Sequence, residues 1–302
     1  MAEKDVSEKM LFDYNDVFAD VINVLLFDNN RMVSENDLLS VKTKSQYKAD
    51  DNILHEEERD IAKFWNQCEI NVALFGIENQ TNTDPDMVLR VIGYEGASYR
   101  SQLLSNEIDN EGKKSRYPVI TLVLYFGYDK HWNKRNLFDR IDVPKYLKPY
   151  VNDFHMNLFE IAYLDDEVIN NFTSDFKIVA NYFSQLRKNH SYIPTTHEIR
   201  HVDEVLKLMS ILTRDDRFET VQNKMIANKP NIGKGKVKDM IDVLGQVEAR
   251  GEARGEARGE ARGMIKAYKD MGLSVDEIAD KMGKSIDEIN EILEHKQVVA
   301  SI

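Results

Sequence analysis

The sequence predicts an α/β fold: a mixed central sheet flanked by helices, followed by an α-helical C-terminal extension. Three observations carry this. The stretches "INVALFGIENQ" (70–80) and "YPVITLVLYFG" (117–127) are short, apolar and rich in β-branched residues, as buried strands are. Residues 10–27 and the stretches after 165 repeat apolar residues at every third and fourth place, the period of a helix with one buried face. The order of helix, two strands, helix, strand, strand and then helices is that of an α/β core with helices appended.

Taken along the chain, "MLFDYNDVFADVINVLLF" (10–27) places Leu11, Tyr14, Phe18, Ile22 and Leu25 on one helical face. Residues 28–50 are mixed and polar and read as loop. "ERDIAKFW" (58–65) and "INVALFGIENQ" (70–80) read as two strands joined by the short polar link "NQCE" (66–69), which suits an antiparallel hairpin. Pro85 opens a helix, since proline is tolerated in a first turn, and Met87, Val91 and Tyr94 follow at helical spacing. Residues 107–116 form a charged loop, 117–127 the clearest buried strand, and "MNLFEIAYL" (156–164) another strand. From 165 to 245 the pattern is helical, in "DEVINNFTSDFKIVANYFSQLRK" and "HVDEVLKLMSILTRD". The organisation expected is a core over 1–165, a helical extension over 166–247, a spacer over 248–263 and a tail over 264–302.

Composition bounds the function classes. The formal charge of −12 over 302 residues means that the whole molecule repels nucleic acid, so any such contact needs a local basic patch or a bound cation. One cysteine, Cys68, excludes an internal disulfide and a Cys-x-x-Cys zinc site, and suits a reducing compartment. The N-terminus "MAEKDVSEKM" has no apolar signal core, and the longest apolar run, Val119–Phe126, is too short for a bilayer. The expectation is a cytoplasmic protein with no membrane partner.

The chemistry gathers at the end of the 70–80 strand. Residues two apart on a strand share a face, so Glu78 and Gln80 lie together and Asn79 opposite. If the preceding strand pairs as a hairpin, Asp60 comes near Glu78. Two carboxylates held together repel unless a cation lies between them, and Mg²⁺ is held by one or two carboxylates, waters and phosphate oxygens. The same residues also fit a solvated strand end with lysine and arginine partners. Arg90 and Tyr94, four apart on the next helix, share a face. They suit either phosphate contact beside the site or a structural pair. Asp16, on the first helix, is a candidate further acid or a solvated one. His197 and His201 are four apart but lack the glutamate and third ligand of a zinc helix, and His190 adds no ligand spacing.

The segments "DIAKFW", "ALFGIENQT", "DPDMVLRVIGYEGASYR" and "RYPVITLVLYFG" resemble the recombination-promoting nuclease/putative transposase (Rpn) family of the PD-(D/E)XK nuclease superfamily, over about residues 10–165. The resemblance implies a restriction-endonuclease-like core and metal-dependent cleavage of DNA connected with recombination or mobile elements. On this footing Asp60 matches the aspartate of the superfamily's hairpin, Glu78 its (D/E) and Gln80 its lysine position, where the Rpn-like group also carries glutamine. Arg59 stands where the motif has proline, and Glu57 and Glu58 are further acids nearby. Asp60, Glu78 and the Asn79 carbonyl would then hold Mg²⁺ or Mn²⁺, and Gln80 would orient water, because a neutral amide hydrogen-bonds but brings no charge. The alternative is a DNA-binding or protein-interaction module on the same fold that cuts weakly or not at all.

Residues 224–238, "KMIANKPNIGKGKVK", hold five lysines and no acid. Lys229, Lys234 and Lys236 are candidates for phosphate contact, or the segment is a solvated linker. Residues 248–263 are four copies of "EARG"; glycine at every fourth place costs about 1 kcal/mol each in a helix, so a spacer is expected. Residues 264–295 read as three short helices punctuated by Gly272 and Gly283, with Ser274 and Ser285 as N-caps and Glu277 and Glu288 completing capping boxes. The arrangement resembles a helix-turn-helix. Its last helix carries Asp287, Glu288, Glu291 and Glu294, and five lysines against eight acids in 264–302 make it a poor phosphate partner. A protein-interaction module is favoured, with self-association through these C-terminal helices.

Overall fold

The computed structural model describes residues 11–41, 44–48, 54–67, 70–105, 112, 114–213, 218, 240, 263–265, 267–283, 285, 286 and 289. The chain divides into two compact units, residues 1–241 and 242–302.

The first unit is a mixed α/β structure. Its five-stranded sheet has the order β1 (Leu38–Ser40), β4 (Ile61–Gln67), β5 (Ile70–Gln80), β6 (Val119–Tyr125), β7 (Asn157–Glu160). β1, β4 and β5 pair antiparallel, and β5, β6 and β7 pair parallel. β2 (Lys44–Lys48) and β3 (Leu54–Glu58) form a separate antiparallel pair. The expected hairpin of 58–65 with 70–80 is present, with Ile61 opposite Ile77 and Gln67 opposite Ile70. Its first strand starts later than expected. The extended chain is interrupted at Arg59 and Asp60, so Asp60 sits at a bend just before β4.

Helix α1 (Asn15–Leu26) lies against one face of the sheet. That face carries Lys63, whose Nζ donates to the Asp13 carbonyl and to Asn15 Oδ1, both at 2.5 Å, and lies 5.3 Å from the centre of the Phe18 ring. Burial lowers the Lys63 pKa to about 8. The helix expected over 10–27 is therefore broken at Asp13 and Tyr14, where the lysine is received.

Helix α2 (Met87–Leu104) covers the other face; Met87, Val88, Val91 and Tyr94 pack with Val123 and Tyr125 of β6. Pro85 stands in the turn before the helix rather than in its first turn. β7 is only four residues long and pairs with the second half of β6. The amides of Tyr117, Val119 and Thr121 instead donate to Gln102 Oε1 (3.0 Å), the Tyr99 hydroxyl (3.1 Å) and Glu95 Oε1 (3.1 Å) of α2. The strand expected at 156–164 ends at Glu160 and continues as a 3₁₀ turn, Ile161–Tyr163.

The helical region after 165 contains α3 (Asp166–Asn171), α4 (Phe176–Asn189) and α5 (Val202–Thr213). The periodicity of 165–188 is continuous, yet the chain breaks between α3 and α4. The cause is Asp20 of α1, only 3% exposed, which accepts the amides of Thr173 (2.9 Å) and Ser174 (2.8 Å), the Thr173 hydroxyl (3.1 Å) and Arg31 Nη1 (2.5 Å). Phe176 and Phe183 of α4 meet Phe126 on the α1 side of the sheet. Among the described residues no helix is long and apolar enough to cross a membrane.

In the second unit, α6 (Val275–Met282) starts on the expected capping box: the Ser274 amide and hydroxyl donate to Glu277 Oε2 and the Glu277 amide donates to Ser274 Oγ. Gly272 (φ 85°) and Gly283 (φ 61°) hold the left-handed conformation that ends short helices. Ile265, Ile278, Ala279 and Ile289 form its core. The EARG copies up to residue 262, and the segment carrying Lys229, Lys234 and Lys236, lie outside the described residues, as does Cys68.

Replacing Asp20 with alanine should destabilise the first unit by roughly 2–4 kcal/mol, since each buried amide left without an acceptor costs about 1–3 kcal/mol. Urea unfolding of Asp20→Ala against wild type measures it.

Candidate functional site

β5 is the second antiparallel partner of β4 and the first parallel partner of β6, so it lies at the centre of the sheet. Its residues Leu74, Gly76, Glu78 and Gln80 alternate onto the face covered by α2. Gly76 stands over the buried Arg59, and a Cβ added there would meet Arg59 Cδ and Nη1 at 3.4 Å. The Arg59 guanidinium lies 5.5 Å from the centre of the Tyr94 ring.

Glu78 is fully buried. Its Oε1 accepts the Asp60 amide at 3.3 Å, while Asp60 Oδ2 accepts the Asn79 amide at 2.7 Å. These two crossed bonds join the bend before β4 to the end of β5 and hold the carboxylates side by side. Glu78 Oε2 receives Arg90 Nη2 from the first turn of α2 at 3.2 Å. Arg90 also donates through Nη1 to Asp84 (3.0 Å), and through Nε and Nη2 to the Tyr94 hydroxyl (3.2 and 3.0 Å). Burial, followed by the charge of Asp60, pushes Glu78 up to about 8, against the pull of Arg90, the Asp60 amide and Arg59. Burial, and then the charge of Glu78, pushes the Tyr94 phenol up to about 12. Burial also raises Glu95 on the same helix.

Asp60, Glu78, Arg90 and Tyr94 are thus brought together. Gln80 is half-buried at the last position of β5, on the face of Glu78. The Asn79 side chain lies on the opposite face, buried, and its Oδ1 has no hydrogen-bond partner among the described residues. The Asn79 backbone does face the site. In an extended strand one residue's N–H and C=O turn to the same side. The Asn79 amide bonds Asp60, whereas the next carbonyl, of Gln80, accepts the Phe126 amide from the β6 side.

Asp16 is not brought to this cluster. It pairs with His201 Nε2 (3.0 Å) and lies 3.7 Å from Arg200 Nη1, on the α1 side of the sheet. His197 faces Asp175 at 3.6 Å. These histidines fasten the segment before α5 to α1 and α4. Three contributors have no signal in strand or helix periodicity: Arg59, Asp84 and Glu95. Arg59 did show one anomaly, a basic residue beside Asp60 in an otherwise acidic "HEEERD".

Among the described residues no group of three His, Cys, Asp or Glu gathers to hold a metal ion. The donors at hand are the Asp60 and Glu78 carboxylates and the Asn79 carbonyl, all hard oxygens. That set fits Mg²⁺ or Mn²⁺, which need only one or two carboxylates when water and phosphate complete the shell. Burial and the neighbouring Asp60 favour the protonated, neutral form of Glu78, and a cation at the pair would favour its ionised form instead.

Residues 66–211, which carry β5 to α5 and with them Glu78, Gln80, Arg90 and Tyr94, match the family model described as "Putative transposase, YhgA-like". Asp60 lies six residues before the matched segment. No curated protein and no solved structure matches the chain.

The folded chain keeps the Glu78 proton up to about pH 8, whereas the unfolded chain releases it near 4.5. Folded protein then binds more protons in that window, so its stability falls as pH rises through it, by up to about 1.4 kcal/mol per pH unit. Glu78→Gln should lack this loss. Denaturant titrations in EDTA from pH 5 to 9 should show wild type losing ground to the variant, and parallel pH profiles would contradict the buried proton.

Proposed function

We propose that this chain, whose residues 66–211 belong to the YhgA-like putative transposase family, is a metal-dependent DNA endonuclease with a restriction-endonuclease-like core. The observation that carries the reading is the pairing of Asp60 with Glu78 through crossed backbone bonds at the end of the central strand. The family's transposase description associates the chain with mobile elements, which supports DNA as the substrate. Ligands of open α/β sheets gather at the carboxyl ends of strands, which is where β5 delivers Glu78.

In this reading Asp60, Glu78 and the Asn79 carbonyl would hold Mg²⁺ or Mn²⁺. When bound, the ion supplies a Lewis acid for phosphate and a more acidic water. Gln80, on the face of Glu78, positions water by hydrogen bonding. Arg90 pairs with Glu78 and, beside the donors that would hold the ion, would be placed to meet a phosphate oxygen. The Tyr94 hydroxyl, accepting from Nε and Nη2, orients the guanidinium. One observation favours a second reading, binding without efficient cleavage: Gln80 brings no positive charge where the superfamily has lysine, and the cation paired with Glu78 is Arg90.

With Mg²⁺ or Mn²⁺ present, wild type should nick supercoiled plasmid and EDTA should abolish the reaction. Glu78→Ala and Asp60→Asn should each fall by at least about a hundredfold, in line with losing a group that stabilises transition-state charge. Equal nicking by all three proteins rejects the nuclease reading. Retained DNA binding with no nicking by any of them supports the second.

A further inference from the structure

The strap from Gly127 to His155 leaves β6 at the carboxyl end of the parallel strands, the end at which β5 carries Glu78, and leads to the start of β7. In the sequence it is only the gap between two strands. Its composition departs from that of the chain. Residues 128–150 hold six lysines and arginines against three aspartates, a net of +3 in a protein of net −12. One of the three acids, Asp139, is turned onto the strap's own backbone, where it accepts the amides of Arg135 and Asn136 at 3.1 and 3.0 Å.

The strap is anchored. Trp132 and Met156 are buried in the core shared by Met87, Val88, Val91 and Tyr94 of α2, with Leu137 and Phe154 packed against them. Arg140 pairs with Asp86, the residue before α2, four residues from Arg90. The strap therefore has a fixed place beside the first turn of α2, the turn that supplies Arg90 to Glu78. Its outer side is different. Two turns run from Pro144 to Val151, with the Leu147 and Lys148 amides on the Pro144 carbonyl and the Tyr150 amide on the Leu147 carbonyl. On them Tyr146 is 75% and Tyr150 85% exposed. Lys130, Lys134, Lys145 and Lys148 are exposed along the same strap, and among the described residues none of the four forms an ion pair with a carboxylate. Folding does not bury these rings, and each has a lysine next to it or one residue further along.

We propose that this strap is a binding platform for unpaired DNA, on which Tyr146 and Tyr150 stack with bases while Lys145, Lys148, Lys130 and Lys134 receive phosphates. Exposed aromatic rings interleaved with cations are what a single strand uses, because a base in a duplex keeps its faces stacked on its neighbours. The local positive charge of this strap overcomes the repulsion of the acidic remainder over the short range at which salt screens. The proposal rests on the DNA reading above and adds a preference for single-stranded or locally opened DNA entering beside Arg90.

The test is fluorescence anisotropy of the full chain with a labelled single-stranded DNA oligonucleotide and with its duplex, in EDTA so that no cleavage is needed. Single strand should bind more tightly than duplex. The double variant Tyr146→Ala/Tyr150→Ala should weaken single-strand binding by roughly tenfold for each ring removed, and Tyr146→Phe/Tyr150→Phe should bind as wild type does. Lys145→Gln/Lys148→Gln should lower the slope of log affinity against log salt by about 0.7 for each phosphate no longer neutralised. Unchanged binding by the double alanine variant overturns the proposal. So does a loss of binding confined to a Lys229→Gln/Lys234→Gln/Lys236→Gln variant, or a wild-type dimer in sedimentation that the alanine variant dissolves without change in DNA affinity. Failure of nicking with this binding intact counts against the nuclease reading alone.

Discussion

A carboxylate without solvent exposure must be compensated by its neighbours, and the first unit is arranged around that requirement at Glu78. Three elements meet there. The bend before β4 supplies an amide to Oε1, α2 supplies the Arg90 guanidinium to Oε2, and β5 supplies Glu78 itself. The compensation is incomplete, because burial disfavours the charged form and Asp60 adds a second negative charge within hydrogen-bonding reach of the same backbone, so Glu78 keeps its proton. Packing alone would favour an apolar residue at this point. Two acids held together by crossed backbone bonds are costly for stability, and they suit the binding of a hard cation.

The placement of Arg90 depends on the seating of α2. The short β7 leaves the first half of β6 without a strand partner on that side, and α2 takes the role. Glu95, Tyr99 and Gln102 accept the amides of Thr121, Val119 and Tyr117. They recur at four and three residues, so one helical face delivers all three. At the other end of the helix Asp84 and Tyr94 orient Arg90, and Arg59 lies beneath, in the space that Gly76 leaves open. The opposite face of the sheet has its own buried charge in Lys63, received by α1, and its own fastening in Asp20 and the Asp16–His201 pair. Asp16 lies on this face, where it pairs with His201 just before α5, and not on the α2 face that holds the site.

Charge is distributed unevenly on the outside as well. Acids dominate the whole chain, while the strap after β6 is basic, bears two exposed tyrosines and is tied through Arg140 to Asp86, just before the helix that carries Arg90. An acidic protein approached by a polyanion has few places to receive it, and a patch of opposite sign next to the candidate site localises the approach.

The sequence by itself determined the pieces whose signal is local. Short apolar runs rich in β-branched residues set β5 and β6 and the hairpin with β4, the polar end of β5 marked Glu78 and Gln80, and Ser274 with Glu277 set the start of α6. A short apolar run and a capping box act over a few residues, so neighbours suffice to specify them. Tertiary structure decided the rest, because the deciding contacts join distant positions. Periodicity ran unbroken through Phe172–Asp175, yet Asp20, some 150 residues earlier, ends one helix and begins the next. Likewise β1 exists only because β4 offers it an edge, and Asp60 leaves the strand because Glu78 and Asn79 take its amide and its carboxylate. Arg59, Asp84 and Glu95 have roles that only packing assigns, since a buried charge is recognisable only when its partners are in place.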